Sequence, residues 1–181
     1  PRDPSWRRML AVIASAVSAP GLPRETEDAL RRLSALDGPA LESLADTVLA
    51  GQVGDDRIAL APFAGAALQA WFTALAAAID PATVAPAKGS CPVCGAAPVA
   101  AVVQGGDRLR YVTCTLCAAE WNVSRVHCVI CGRDAALAYF GVQDDPGAQA
   151  EACGECKAYV KLFDEVKRPG ADPFADDAAT I

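Results

Sequence analysis

The chain has 181 residues, which is enough for one domain or two small ones. Hydrophobic residues make up 52% of it, and 16 basic against 22 acidic side chains give a formal charge of −6. No segment has an excess of basic side chains, whereas binding to a phosphate backbone needs a concentrated positive face. Composition and charge therefore argue against nucleic acid as a partner.

The first half of the chain carries apolar residues at helical spacing, as at Trp6, Leu10 and Ile13. This pattern predicts amphipathic helices over residues 5–19, 24–36 and 39–50. The charged side chains between the apolar positions are expected to form solvated faces and are given no other role. The segment is therefore predicted to be a small α-helical bundle.

Residues 58–79 contain no charged side chain, and their length alone would allow a membrane span. Alanine dominates the segment, however, and Pro62 and Gly65 interrupt it. We therefore predict no membrane insertion and interpret the segment as the central helix of the bundle, with Pro62 in its first turn. The large side chains expected in its core are Phe63, Leu68, Trp71, Phe72 and Leu75.

Prolines and a glycine break the helical pattern at residues 80–90, and beyond them the apolar period changes from 3.6 to 2. Strands are predicted at 99–104, 109–112, 121–126, 137–142, 148–152 and 159–163, with turns at 105–107 and 144–147. The predicted fold class is α+β, a helical bundle followed by two tandem rubredoxin-like or zinc-ribbon β units. The predicted domains are a helical domain (1–80), a linker (81–90), a first metal ribbon (91–126), a second metal ribbon (127–165) and a C-terminal tail (166–181).

All eight cysteines of the chain fall into four Cys-x-x-Cys pairs. Two residues between cysteines allow a tight turn to direct both sulfurs at one metal ion, and two such turns complete a tetrahedral site. The predicted ligands of two metal ions are Cys91, Cys94, Cys114, Cys117, Cys128, Cys131, Cys153 and Cys156.

The spacing of the pairs indicates how they combine. Cys91 aligns with Cys128 at an offset of 37 residues, and Cys114 aligns with Cys153 at an offset of 39, so the region reads as one unit written twice. An interleaved arrangement usually has its middle pairs almost abutting, but ten residues separate them here. We therefore predict tandem sites, with one ion in each repeat.

Metal binding explains the thiols better than their other uses do. A ribbon of this size buries too little apolar surface to fold alone, whereas a structural zinc site supplies on the order of 10 kcal/mol. No helical pattern follows any pair, as a thioredoxin-type motif would require, and structural disulfides would need an oxidising compartment. Four thiolates suit zinc and iron alike. His127, the one histidine, is predicted to be a strand residue and not a ligand.

Glycine follows the second cysteine of the first and third pairs, at Gly95 and Gly132, where the backbone often needs positive φ. Ala118 and Lys157 occupy the same place in the other two pairs and weaken the pattern. The aromatic side chains of Trp121, Tyr139 and Tyr159 are expected to pack beside these turns and not to contact a partner.

The motifs CPVCG, LRYVTCTLCAAEW, VHCVICG and EACGECKAYVKLF, in this order, resemble the formate dehydrogenase accessory (formation) protein family. PRDPSW at residues 1–6 is similar to the entry to that family's helical region, and FADDAATI at 174–181 is similar to the stretch after its metal domain. The resemblance covers the whole chain, without the family's extra N-terminal segment and C-terminal tail.

The resemblance implies a cytoplasmic maturation factor and not an enzyme. Its partner would be the catalytic subunit of a formate dehydrogenase, bound before export, and a homo-oligomer is left open. The eight cysteines would hold two metal ions, with iron favoured by the resemblance and zinc as the alternative. The second reading is a rubredoxin-like redox or oxygen-sensing protein, and a nucleic-acid-binding zinc ribbon comes third.

Overall fold

The computed structural model describes residues 2–17, 21–85, 87–134, 136–142 and 145–180. They form two compact units, Pro1–Leu75 and Ala76–Ile181. The first unit is helical, and the second holds a six-stranded β-sheet and one helix. The α+β class, with helices ahead of the β region, is confirmed. The predicted boundaries at residues 80, 90, 126 and 165 stay predictions.

The first unit contains the predicted helices within a few residues of their expected ends. Residues 18 and 19 of the first predicted helix lie outside the described part of the chain. The side chain of Asp37 accepts a hydrogen bond from the amide of Ala40 and caps the third helix. The helices are α1 (Trp6–Val17), α2 (Arg24–Ser34), α3 (Gly38–Leu49) and α4 (Ala61–Ala76), the last preceded by a 3-10 turn at Ile58–Leu60.

The carboxylate of Glu42 on α3 ties this helix to α1. It accepts hydrogen bonds from Trp6 Nε1 at 3.0 Å and from Arg7 Nη2 at 2.6 Å, and Arg2 Nη1 lies 2.7 Å away. Burial acts to raise the pKa of the Glu42 carboxyl, but the hydrogen bonds from Trp6 and Arg7 outweigh it and lower the pKa. The fully buried indole of Trp6 is thereby held in the core of the bundle.

Helix α4 begins at Ala61 with Pro62 in its first turn, as predicted. Ala64, Ala67 and Leu68 are buried, but Leu75 is 47% exposed, so the expectation that Leu75 lies in the core is wrong. Within the described residues, Ile58–Ala76 is the one helix long and apolar enough to cross a membrane, with a mean hydropathy of 1.5 in its most apolar window. Only 22% of that window is buried, and the absence of membrane insertion stays a prediction.

The second unit is built on one sheet with the strand order β3-β2-β1-β6-β5-β4. Three adjacent strands come from each cysteine repeat, and they appear in the same order in both halves. The strands are β1 (Pro98–Gln104), β2 (Leu109–Cys114), β3 (Glu120–Asn122), β4 (Leu137–Val142), β5 (Asp145–Cys153) and β6 (Tyr159–Asp164).

The two halves are joined by parallel pairing of β1 with β6, from Ala100 opposite Lys161 to Val103 opposite Asp164. All other strand pairs are antiparallel. Burial on both faces explains why β1 is a short apolar run. On one face Val129, from the Cys128–Cys131 turn, packs with Ala101, Val103, Val112, Val160 and Leu162, and the opposite face carries Ala100, Val102, Ala148 and Phe163.

Two details of the sheet differ from the prediction. β3 ends at Asn122 and does not continue to residue 126, because Arg110 takes the carbonyls of Val123 and Ser124 as hydrogen-bond acceptors. β5 starts at Asp145, where a turn is predicted, and the amide of Gly147 donates to the Asp145 side chain at 2.9 Å. The turn position at residue 144 lies outside the described residues.

The segment predicted as a tail contains a helix, α5 (Pro173–Ala179), which packs against β1. Asp172 caps it by accepting hydrogen bonds from the amides of Phe174 and Ala175. Arg168 contacts Asp145 and donates to Asp176 at 2.6 Å, so the helix is also tied to the start of β5. Seven residues without a long apolar period gave no helical pattern in the sequence.

Candidate metal centres

All four Cys-x-x-Cys turns share one backbone pattern. The amide of the first cysteine donates to the carbonyl five residues later, at 2.8 Å from Cys91 and 3.0 Å from Cys114. Cys128 and Cys153 repeat this bond, each at 2.9 Å. This backbone hydrogen bond therefore closes each turn, and Cys114 and Cys153 are the last residues of β2 and β5.

The residue after the second cysteine has positive φ in all four turns. The values are 78° at Gly95, 54° at Ala118, 68° at Gly132 and 61° at Lys157. Ala118 and Lys157, which weaken the sequence pattern, thus adopt the same left-handed conformation as the glycines. The geometry of the metal turn overrides the preference of an L-residue, which disfavours this region by roughly 1–2 kcal/mol.

We expect Ala118→Gly to raise the free energy of unfolding by up to about 1 kcal/mol, because glycine adopts positive φ without strain. Gly95→Ala is the matched opposite change, since a Cβ at Gly95 meets no atom within 4 Å and adds only the conformational cost. Urea unfolding of the metal-loaded variants measures both. A destabilised Ala118→Gly variant would contradict the assigned strain.

The sulfurs gather into two clusters, each from one repeat. In the first, Cys91 and Cys117 Sγ lie 3.6 Å apart, and Cys94 and Cys114 Sγ lie 3.4 Å apart. All four ligand atoms of each cluster are within 4.8 Å of one another. The tandem grouping predicted from the spacing is the one found, and no interleaving of the repeats occurs in the described chain.

The second cluster has the same arrangement on a slightly larger scale. Cys128 and Cys156 Sγ lie 3.8 Å apart, and Cys131 and Cys153 Sγ lie 4.0 Å apart. A tetrahedral ion with metal–sulfur bonds of about 2.3 Å places its sulfurs roughly 3.8 Å from one another. Both clusters therefore fit one tetrahedral ion each, and both could bind a metal.

Backbone amides point at the first sulfur of every turn. Their N···Sγ distances are 3.3 to 3.4 Å, and they give each sulfur a donor that favours its thiolate form. A thiolate ligand held in this way suits zinc and iron equally. The four donors are the amides of Val93, Leu116, Ile130 and Glu155.

The two clusters differ in their access to solvent. In the first, Cys91, Cys114 and Cys117 are at most 2% exposed. In the second, Cys128 and Cys153 are each 4% exposed, whereas Cys156 is exposed. Solvent and small molecules can therefore reach the second cluster through Cys156.

Burial raises the pKa of several thiols, to about 11 for Cys94 and about 12 for Cys128, and it also raises the pKa of Cys117. The amide of Cys156 lowers the pKa of Cys153 to about 7. At Cys91, burial acts to raise the pKa of the thiol, but hydrogen bonds from the amides of Cys94 and Val93 outweigh it and lower the pKa. Without a metal, the raised pKa values keep the thiols of Cys94, Cys117 and Cys128 protonated at neutral pH.

We therefore expect metal binding to release several protons and to weaken as the pH falls. A raised thiol pKa favours the protonated form, so the ion must displace the proton, and each displaced proton costs a factor of about ten in affinity per pH unit. Between pH 8 and pH 6 the apparent Zn²⁺ affinity should fall by more than about a hundredfold. Competition with a chromophoric chelator at each pH measures this, and an affinity independent of pH would contradict it.

His127 does not join either cluster. Its Nδ1 contacts the carboxylate of Asp134, and its backbone forms an isolated bridge to the same residue. The ring is close to Cys128 in sequence, but the four sulfurs of the second cluster already complete a tetrahedral set.

The aromatic residues expected beside the metal turns divide into two groups. Trp121 is partly buried and packs on the core that contains Val112 and Val160. Tyr139 is 45% exposed and Tyr159 is 63% exposed, so the expectation that they pack in the core is wrong. Tyr139 lies on β4, which no other strand of the described residues flanks on its outer side.

A buried ion pair, which the sequence reading missed, links the two halves of the sheet. Arg110 on β2 places Nη1 2.5 Å from each carboxylate oxygen of Glu151 on β5, and both side chains are at most 2% exposed. The same guanidinium donates to the carbonyls of Val123, Ser124 and His127. A signal was available, because Arg110 shares a strand face with Val112 and so occupies a core-facing position.

The ion pair lies at one side of a cavity of about 380 Å³ on this face of the sheet. Arg108 and Asp164 at its rim form a second ion pair, with Arg108 Nη2 2.7 Å from the carboxylate. This contact lowers the pKa of Asp164. Burial and the nearby carboxylate of Glu151 raise the pKa of Tyr139, which also lines the cavity.

Family models match nearly the entire chain. The model of the N-terminal part of FdhE matches residues 1–88, the model of the FdhE central domain matches 90–125, and the model of the FdhE C-terminal domain matches 126–181. The cluster formed by the first repeat thus lies within the central-domain match, and the cluster of the second repeat lies within the C-terminal match.

Individual proteins give the same result. The chain is 35% identical to an FdhE homolog from Edwardsiella ictaluri and 33% identical to FdhE from Salmonella newport, over 99% and 100% of its length. It spans 60% of the length of each of these relatives. The crystal structure of the FdhE protein from Pseudomonas aeruginosa superposes with a TM-score of 0.86 at 30% identity, over 97% of this chain and 63% of that one. The chain therefore belongs to the FdhE family.

Proposed function

We propose that this chain takes part in forming active formate dehydrogenase, as a cytoplasmic maturation factor that binds the catalytic subunit before export. The observation that carries the proposal is the match of FdhE family models to nearly the whole chain, together with the resemblance of its cysteine motifs to formate dehydrogenase accessory proteins. The role is one of binding and not of catalysis.

The metal ligands in this proposal are the eight cysteines, four for each of two ions. Support comes from sulfur separations of 3.4 to 4.0 Å and from the amide donors at the first sulfur of every turn. The family resemblance favours iron, and zinc is the alternative. In either case each ion clamps the ends of one three-stranded half of the sheet and so stabilises the surface that a partner would contact.

An affinity capture tests the proposal. The tagged protein is isolated from cells that produce a formate dehydrogenase, captured proteins are identified by mass spectrometry, and the metals in the eluate are measured. Recovery of the catalytic subunit with about two metal ions per chain is the expected result. Recovery of nucleic acid, or of no partner while both metals remain bound, would contradict the proposed function.

The exposure of Cys156 favours a second function, in which the ion of the second cluster is iron and responds to oxygen or to a redox partner. A tetrathiolate iron centre absorbs visible light when oxidised and bleaches on reduction, whereas zinc does neither. Protein purified from iron-replete cells should then be coloured, and Cys156→Ser should alter the spectrum of one of two centres. Colourless protein that contains only zinc would exclude this function.

A further inference from the structure

We propose that the open edge of β4 is a docking site for an extended segment of the client polypeptide, which would add to the sheet as a seventh strand parallel to β4. The proposal rests on the function proposed above for the identity of the client. The supporting observation is the internal repeat of the sheet. In the other half, the edge of β1 is equivalent to the edge of β4, and the parallel strand β6 covers it.

The strand register makes β4 the counterpart of β1. Ala101 pairs with Val112 on β2, and Tyr139 pairs with Glu151 on β5, which lies 39 residues after Val112. The same offset relates Cys114 to Cys153. The stretch of β1 that pairs with β6, residues 100–103, therefore corresponds to residues 138–141 of β4.

The hydrogen-bond ladder shows which backbone groups of β4 have no partner strand among the described residues. The amide of Gly154 donates to the carbonyl of Ala136 at 3.0 Å, one step before the pair Leu137 and Cys153. Bonded and non-bonded pairs alternate in an antiparallel ladder, so Ala138 and Phe140 turn their N–H and C=O groups toward β5. The residues that turn these groups to the open side are Leu137, Tyr139 and Gly141.

The covered edge of β1 shows the same groups in use. Val103, the counterpart of Gly141, accepts a hydrogen bond through its carbonyl from the amide of Glu165 at 3.1 Å. Glu165 directly follows β6. A segment on β4 would therefore find, at Tyr139 and Gly141, the backbone groups that β6 finds at Ala101 and Val103.

The composition of β4 suits a docking edge. Exposed edges are usually blunted by lysine, proline or short strand length, but LAYFGV carries no charge and no proline. Tyr139 and Phe140 are 45% and 59% exposed and lie on opposite faces of the strand. A segment with apolar or aromatic side chains would pack against both rings, while its backbone pairs with the edge.

A second copy of this chain is a poorer occupant than a client. The counterpart of β6 in the first repeat is β3, because Trp121 pairs with Val112 as Val160 pairs with Glu151. Arg110 takes up the carbonyls of Val123 and Ser124 just beyond β3. With three residues in β3 against six in β6, the edge of β3 is a poorer strand for head-to-tail stacking of copies onto β4.

Gly141 allows a test that acts on the backbone. Gly141→Pro removes an N–H that points to the open side, where proline is tolerated on an edge strand. Gly141→Ala is the matched control, because it keeps the amide and its Cβ would meet no atom within 4 Å. Both variants should keep two metals and an unchanged thermal midpoint, but Gly141→Pro should hold the formate dehydrogenase catalytic subunit about tenfold more weakly or lose it.

If Gly141→Pro retains the subunit as well as Gly141→Ala does, the edge proposal is wrong and the proposed function stands. If the unchanged protein captures no subunit, the proposed function fails. A second measurement then tests separately whether the edge of β4 can accept an added strand. In it, a synthetic peptide of residues 157–168, which contains β6, is added and amide exchange is followed by NMR. Protection of Tyr139 and Gly141 supports the proposal, and its absence overturns it.

Amide exchange of the protein without added peptide gives the remaining outcome of the test. If the amides of Tyr139 and Gly141 are already protected without peptide, a dimer by light scattering would show that a second copy covers the edge, and a monomer would show that the chain covers it internally. Either result would overturn the assignment of this edge to a client.

Discussion

The double replacement Cys91→Ser/Cys94→Ser is expected to leave one metal ion per chain and to unfold the first half of the sheet. A structural tetrathiolate site contributes on the order of 10 kcal/mol, which is comparable to the whole stability of a small domain. Cys91 is 2% exposed, so its replacement also leaves a polar hydroxyl in a buried site. Metal analysis and the loss of the β-sheet signal in circular dichroism measure the effect.

Cys156→Ser serves as the control, because Cys156 is exposed and a water molecule can complete the coordination there. This variant should keep its fold, and it should lose the metal of the second cluster when a mild chelator is added but not before. A Cys91→Ser/Cys94→Ser protein that stays folded, with the same unfolding midpoint as the unchanged protein, would show that the first cluster does not support the sheet. If the proposed function holds, the double variant should also lose the catalytic subunit in affinity capture.

The local structure of the metal region could be predicted because its signals are local. A Cys-x-x-Cys turn constrains only a few residues, and the spacing between turns leaves room for one hairpin in each repeat. Alternation of apolar residues then places β1 and β2 within a residue or two of their observed ends. The offset between the repeats further identified which sulfurs meet, and the clusters follow it.

The parallel joint between β1 and β6 could not be predicted in this way. Residues 100–103 and 161–164 are about sixty positions apart, and nothing in either segment specifies the other. Two separate ribbons and one continuous sheet have the same alternation of apolar residues, so the sequence pattern does not distinguish them. The decision depends on long-range packing, such as Phe163 against the face that holds Ala100 and Val102.

The error at Tyr139 has the same origin, whereas Tyr159 is exposed because it lies at the start of β6, ahead of Lys161, where the pairing with β1 begins. An aromatic residue in an apolar strand is usually buried, but burial depends on what covers the strand. In the part of the chain that the structure describes, β4 has no neighbouring strand on its outer side, which is a property of topology and not of its own residues. Helix α5 was missed for a different reason, since its stability depends on the Asp172 cap and on contacts with β1 more than on its seven residues.

The buried pair of Arg110 and Glu151 is the second feature for which a large effect is expected. Arg110→Met and Glu151→Leu should each lower the free energy of unfolding by about 3–5 kcal/mol, because each leaves an uncompensated charge in the sheet. Arg110→Met should be the more costly change. It also removes the donor from the carbonyls of Val123, Ser124 and His127.

The double variant Arg110→Met/Glu151→Leu should be much less destabilised than the sum of the two single changes, since no buried charge remains. The destabilisation that remains should come from the three carbonyls that lose their donor. Because His127 directly precedes Cys128, we expect the loss at His127 to loosen the second metal site. Urea unfolding of the four proteins in the cycle gives the coupling energy, and metal release by a chelator reports on the second cluster. Additive effects would mean that the two side chains act independently, whereas a coupling of about 2 kcal/mol or more would show that the ion pair locks the first repeat to the second.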